Sequence, residues 1–164
     1  MPATTFLNVE AVAVEIWPQS RHPRRIFSGD DQFFRGVINR TIEINREQNP
    51  FPELCVVRAL VMVANLRWKV GPRLMSYLEM HGGMMSPLDF EDIQKKHYGK
   101  IQWPGTFFEK AMIEIHLAIR RNEIGAVELT LPGQLTLWPE DDVYQQHIHL
   151  RTLRNPKPAI NEVG

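Results

Sequence analysis

Histidine is the side chain best suited to metal ligation and to proton transfer near neutral pH, and this chain carries it at His22, His81, His97, His116, His147 and His149. Only His147 and His149 are close in sequence. On a strand the two would share a face, with Glu140, Asp141 and Asp142 just upstream, which is the beginning of a surface metal site. A closed site needs further ligands at a spacing that a helix or hairpin can bring in, and no clear third ligand stands there. The pair therefore reads as solvated surface, and no metal or other cofactor is expected. Glu114 and His116 share a helical stretch, but two residues apart they point about 200° from each other and cannot pair. Asp89, Glu91 and Asp92 fall in the first turns of a helix, where the macrodipole favours acids without any catalytic role.

No H-E-x-x-H, G-x-S-x-G, G-x-G-x-x-G, phosphate-loop or C-x-x-C pattern occurs, so no local spacing sets a nucleophile beside its base. The chain is expected not to be an enzyme; a site assembled from residues distant in sequence is the third reading. The single cysteine, Cys55, excludes an internal disulfide framework, and its neighbours Leu54, Val56 and Val57 make it a small buried apolar side chain. This cysteine usage fits a reducing compartment, and a cytoplasmic location is expected.

Three guanidiniums do stand close together, in Arg21-His22-Pro23-Arg24-Arg25. On an extended, proline-punctuated arm, Arg21, Arg24 and Arg25 would suit phosphates or an acidic partner; as a solvated loop they would pair with neighbouring acids. Net charge is zero, 19 basic residues balancing 19 acidic ones, so no global field draws the chain to nucleic acid. The balance is uneven along the chain: residues 17–73 hold ten basic and five acidic residues, residues 74–164 nine and twelve.

The elements that must position these groups follow from spacing and punctuation. With 43% hydrophobic and 23% charged residues, the 164-residue chain has the composition of one folded domain. Residues 5–17 favour a strand, and 18–31, with two prolines and a glycine, a loop or basic arm. Phe34, Val37, Ile38 and Ile42 recur at helical spacing over 32–48, which predicts an amphipathic helix ending before Pro50. Residues 53–69 are apolar almost all round, the pattern of a central buried helix, broken at Gly71-Pro72. The longest apolar stretch, 54–66, is interrupted by Arg58 and Asn65, and the N-terminus lacks a basic segment before an apolar run, so neither a membrane span nor a signal peptide is expected. A shorter helix follows over 73–81, stopped by Gly82-Gly83. Ser86-Pro87-Leu88-Asp89 opens the next, ending at Gly99. Thr106 and Glu109 form a capping box for a helix over 107–122, ended by Gly125.

Residues 126–131 and 134–138 alternate apolar with polar on either side of Pro132-Gly133, predicting a hairpin that buries Val127, Leu129, Leu131, Leu135 and Leu137. The order from Ser86 to Trp138, helix, turn, longer helix, hairpin, resembles a winged helix, whose second helix would read the major groove. The faces of that second helix test the likeness. Phe108, Ala111, Met112, Ile115 and Ile119 form its inward stripe; Lys110, Ile113, Leu117, Arg120 and Arg121 lie opposite. Two aliphatics inside a basic rim have the anatomy of a protein interface rather than of a groove-reading surface.

The sequence thus specifies an α+β, helix-dominated single domain over 1–153, with a central apolar helix, a small antiparallel sheet and a loose tail over 154–164. The expected function is a non-catalytic interaction module, a regulator or adaptor of the kind mobile elements carry, with a protein partner, either another protein or a second copy of the chain. DNA binding through Lys110, Arg120, Arg121 and the arginine arm is the alternative.

Overall fold

Residues 5–15, 26–28 and 31–131 are described in a computed structural model of the chain. They lie in the first of two units, which divide between Leu131 and Pro132. The arm carrying Arg21, Arg24 and Arg25, the pair His147 and His149, residues 134–138 and the tail over 154–164 lie outside the described residues.

The centre is the helix that the apolar run dictates. It spans Pro52–Leu66 (α2), with proline in its first turn, and buries Cys55, Val56, Val57, Ala59, Leu60, Val61, Val63 and Ala64. One stripe stays partly wet: Leu54, Arg58 and Met62, four residues apart, are half-buried, and Leu66 is exposed. Arg58 uses this stripe to reach Glu10 in an ion pair. Arg67, in the left-handed conformation, stops α2 before the expected residue 69.

Four further helices stand among the described residues: Gln32–Asn39 (α1), Pro72–Gly82 (α3), Pro87–Tyr98 (α4) and Gly105–Arg120 (α5). α3 packs on α2 and α5, and α4 on α2 and α5. Phe90 of α4 lies stacked on Phe108 of α5 with centroids 5.1 Å apart, and Trp103 tilts against Phe107 at 5.2 Å. Offset and tilted ring pairs of this kind add to plain area burial. α4 has the ends its sequence predicts. The Ser86 hydroxyl accepts from the Asp89 N–H at 3.2 Å, the Asp89 carboxylate accepts from the Ser86 N–H at 2.9 Å, and Gly99 closes the helix at φ +73°. Donation from the Ser86 backbone N–H, and after it from the Ser86 hydroxyl at 2.7 Å, holds the Asp89 carboxyl below the usual carboxylate range. No described helix is long and apolar enough to cross a membrane.

Strands are short and differ most from expectation. The stretch 5–17 is interrupted by a 3₁₀ turn at Asn8–Glu10, leaving Val12–Val14 (β1) as its strand. Asn8 causes the break: its carboxamide oxygen accepts from the Val9 and Glu43 N–H groups at 2.9 and 3.0 Å, offering the backbone a local partner in place of a ladder. β1 pairs antiparallel with Ile26–Ser28 (β2), inside the stretch read as loop. The helix predicted over 32–48 ends at Asn39, because Arg40 turns left-handed and Thr41–Ile42 (β3) extends to pair parallel with Lys69–Val70 (β4). A parallel pair needs a long crossover, and α2 supplies it. Val70 is also bridged antiparallel by Val127. That single bridge, together with buried Leu129, is what the structure shows of the hairpin strand predicted over 126–131. Of the predicted winged-helix order, the described residues carry helix, turn and helix and the first half of the hairpin stretch, 134–138 lying outside them.

α5 begins two residues before its predicted start. Glu91 of α4 accepts the Gly105 N–H at 2.7 Å, so a carboxylate fourteen residues upstream satisfies the helix's first turn, and Pro104 rather than Thr106 takes the cap position.

Candidate interaction surfaces

Hydrogen-bonded polar side chains, Asn8 and Gln94 buried and Glu43 half-buried, fix the frame on which any site must stand. Asn8 donates to the Thr41 carbonyl at 3.1 Å while accepting from two N–H groups, which ties the 3₁₀ turn to β3. α1 closes over it so tightly that a Cβ on Gly36 would overlap the Asn8 amide. Glu43 accepts the N–H groups of Arg73 at 3.1 Å and Leu74 at 2.7 Å, capping α3 from thirty residues away. Gln94 lies fully buried in α4, its oxygen accepting from the Gln102 and Trp103 N–H groups at 2.9 and 3.0 Å, its nitrogen donating to the Trp103 carbonyl at 2.7 Å. All three carry structure, and none was singled out from sequence. Each has deciding partners beyond one helical turn, thirty or more residues away for Asn8 and Glu43 and eight or nine for Gln94, so no local spacing marks it.

The chain's one cysteine sits in a further polar cluster. Burial pushes the Cys55 thiol up, with the Arg58 guanidinium pulling it back down. Burial likewise pushes the hydroxyl of neighbouring Tyr77 up to about 12, helped by Cys55 and Glu47. A thiol held neutral is no nucleophile, and buried Cys55 is the inert small apolar side chain its neighbours predict. The linkage has a measurable consequence. Below pH 10, where tyrosine ordinarily titrates, the hydroxyl is protonated folded and unfolded, and stability is intact. Between pH 10 and 12 the unfolded chain ionises first, and we expect roughly 2 kcal/mol of stability to be lost over that interval. Urea titrations from pH 8 to 12 should show this limb flattened in Tyr77→Phe; an unchanged limb would remove Tyr77 as its source.

His81 lies in ring contact with Tyr77, centroids 4.3 Å apart, between a cleft of about 300 Å³ that Glu53, Asp89 and Asp92 also line and one of about 450 Å³ that Glu47 also lines. Asp89 is committed to Ser86. Among the described residues no three His, Cys, Asp or Glu side chains converge as metal ligands. Glu114 and His116 do not pair: Glu114 accepts the Thr130 N–H at 2.8 Å, and His116 meets Glu79 of α3 at 2.7 Å.

Two helix faces remain. On α5 the inward stripe is as predicted for Phe108, Ala111 and Ile115, which are buried, with Met112 half-buried; Ile119, predicted inward, is instead 37% exposed near the helix end. Opposite it, Ile113 and Leu117 are 55% and 42% exposed, with Lys110, Arg120 and Arg121 exposed around them. The structure thus brings all five predicted residues onto one accessible face, with Glu123 standing 4.0 Å from Arg121. On α1 the outcome is reversed. Phe34, Val37 and Ile38, the apolar side of the predicted amphipathic helix, are 44%, 41% and 79% exposed, and Gly36 is the residue that α1 buries.

No family model, curated protein or solved structure matches this chain.

Proposed function

We propose that this chain is a non-catalytic interaction module whose protein partner docks on the outward face of α5. One observation carries the reading: Ile113 and Leu117, one helical turn apart, stay exposed inside a rim of Lys110, Arg120 and Arg121, while the opposite face of the same helix is built into the core. An aliphatic centre with a charged rim is how a protein interface is composed. A surface that reads DNA instead places polar donors at its centre, against base edges.

The double substitution Ile113→Asp with Leu117→Asp tests it. Association with the partner recovered by affinity capture from the native host should be abolished, because both carboxylates would be desolvated without a partner. Circular dichroism and melting temperature should stay near wild type, since both positions face solvent. Unfolding of the double variant would show an internal face and end the proposal. So would tight, salt-sensitive duplex binding that disappears when Lys110, Arg120 and Arg121 become alanine, the behaviour of phosphate contacts.

A further inference from the structure

Helix α1 is amphipathic, yet its apolar side and its buried side do not coincide. Successive residues advance about 100° round a helix. Phe34 and Ile38 therefore lie about 160° from Gly36, the position that contacts Asn8 and the rest of the fold, and Val37 lies about 100° from it. A short helix rarely holds together by its own propensity and depends on burying an apolar stripe. Here the stripe faces outward.

We infer that a second copy of this chain covers the stripe, the two α1 helices lying antiparallel across a two-fold axis. The charges at its ends favour a copy over a different protein. Asp31 stands at the N-terminal end of α1, 3.5 Å from Arg35, and Arg40 at the C-terminal end, all exposed. An isologous contact must be complementary to itself, and this one is. The two-fold sets each Asp31 against the end of the other helix that carries Arg40. The positive end of each helix dipole then meets the negative end of the other. Ile38, 79% exposed, is the most accessible residue of the stripe, beside Phe34 at 44% and Val37 at 41%.

This surface is separate from the α5 face, and sedimentation equilibrium on the full chain distinguishes them. Wild type should be a dimer in the micromolar range, and Ile38→Asp a folded monomer. Asp31→Arg and Arg40→Glu should each weaken the dimer about tenfold, as like charges come to face each other, and the double reversal should restore it. Ile113→Asp with Leu117→Asp should leave the dimer intact. A wild type that stays monomeric, or a dimer that survives Ile38→Asp, overturns the inference without touching the α5 reading. Should Ile38→Asp fail to fold, the charge reversals decide: single reversals without effect, or a double reversal that fails to rescue, overturn it equally.

Discussion

Leu60→Ala is expected to cost about 2–5 kcal/mol, a large part of the whole stability of a domain this size. Leu60 is fully buried midway along α2, with buried Val56 and Val57 before it and Val63 and Ala64 after it. α2 is also the crossover that joins β3 to β4, and α3 and α4 pack on it. Removing three carbons there leaves a cavity lined by several elements that cannot all relax toward it. Met62→Ala, two residues on, should cost clearly less, because Met62 belongs to the half-buried stripe with Leu54 and Arg58. Urea unfolding of the two variants measures both. A loss under about 0.5 kcal/mol at Leu60 would show that α2 is peripheral, and equal losses at the two positions would deny that the helix has a wetter side.

What could be read in advance was local. Ser86, Pro87 and Asp89 lie within four residues and Gly99 within the same helix, so the chemistry of both ends of α4 is written in one short stretch. Composition alone sufficed for α2, since a run with almost no polar residue has nowhere to lie but inside. The periodicity of 107–122 also separated the buried Phe108, Ala111 and Ile115 from the exposed Ile113 and Leu117. Failures came where the deciding partner is remote. Ile42 falls at helical spacing from Ile38, but its burial comes from extended pairing with β4, and Arg40 breaks the helix between them. Thr106 and Glu109 have the right spacing to cap a helix, but Glu91 reaches Gly105 first. Periodicity also says only that α1 has two unlike faces. It cannot say that the fold approaches through the backbone at Gly36 and leaves the apolar face outside. The inversion of α1 is thus the point where local pattern and observed burial conflict, and such conflicts concentrate at functional sites.

Gln94 should prove the most sensitive polar position. Its amide makes contacts no apolar residue can copy: it accepts two N–H groups, from Gln102 and Trp103, and donates to the Trp103 carbonyl. These bonds shape the turn that leads from α4 through Trp103 and Pro104 into α5. Gln94→Leu keeps much of the volume but strands two donors and an acceptor away from water, each a loss of about 1–3 kcal/mol, so a total of at least roughly 3 kcal/mol is expected. Gln94→Glu separates polarity from shape. At neutral pH its carboxylate can still accept both N–H groups but cannot donate to Trp103, and it is a buried charge. Burial raises that carboxyl's folded pKa, so the folded state binds the proton more tightly than the unfolded state does. The variant should therefore regain stability relative to wild type as pH falls toward the carboxylate range, and lose it again as pH rises. Urea denaturation between pH 4 and 8, followed by far-ultraviolet circular dichroism, reads both effects. Because the same turn sets where α5 starts, Gln94→Leu should also weaken partner binding at Ile113 and Leu117 in whatever fraction remains folded. Wild-type stability in Gln94→Leu, or a Gln94→Glu difference independent of pH, would show that the amide does not hold this turn.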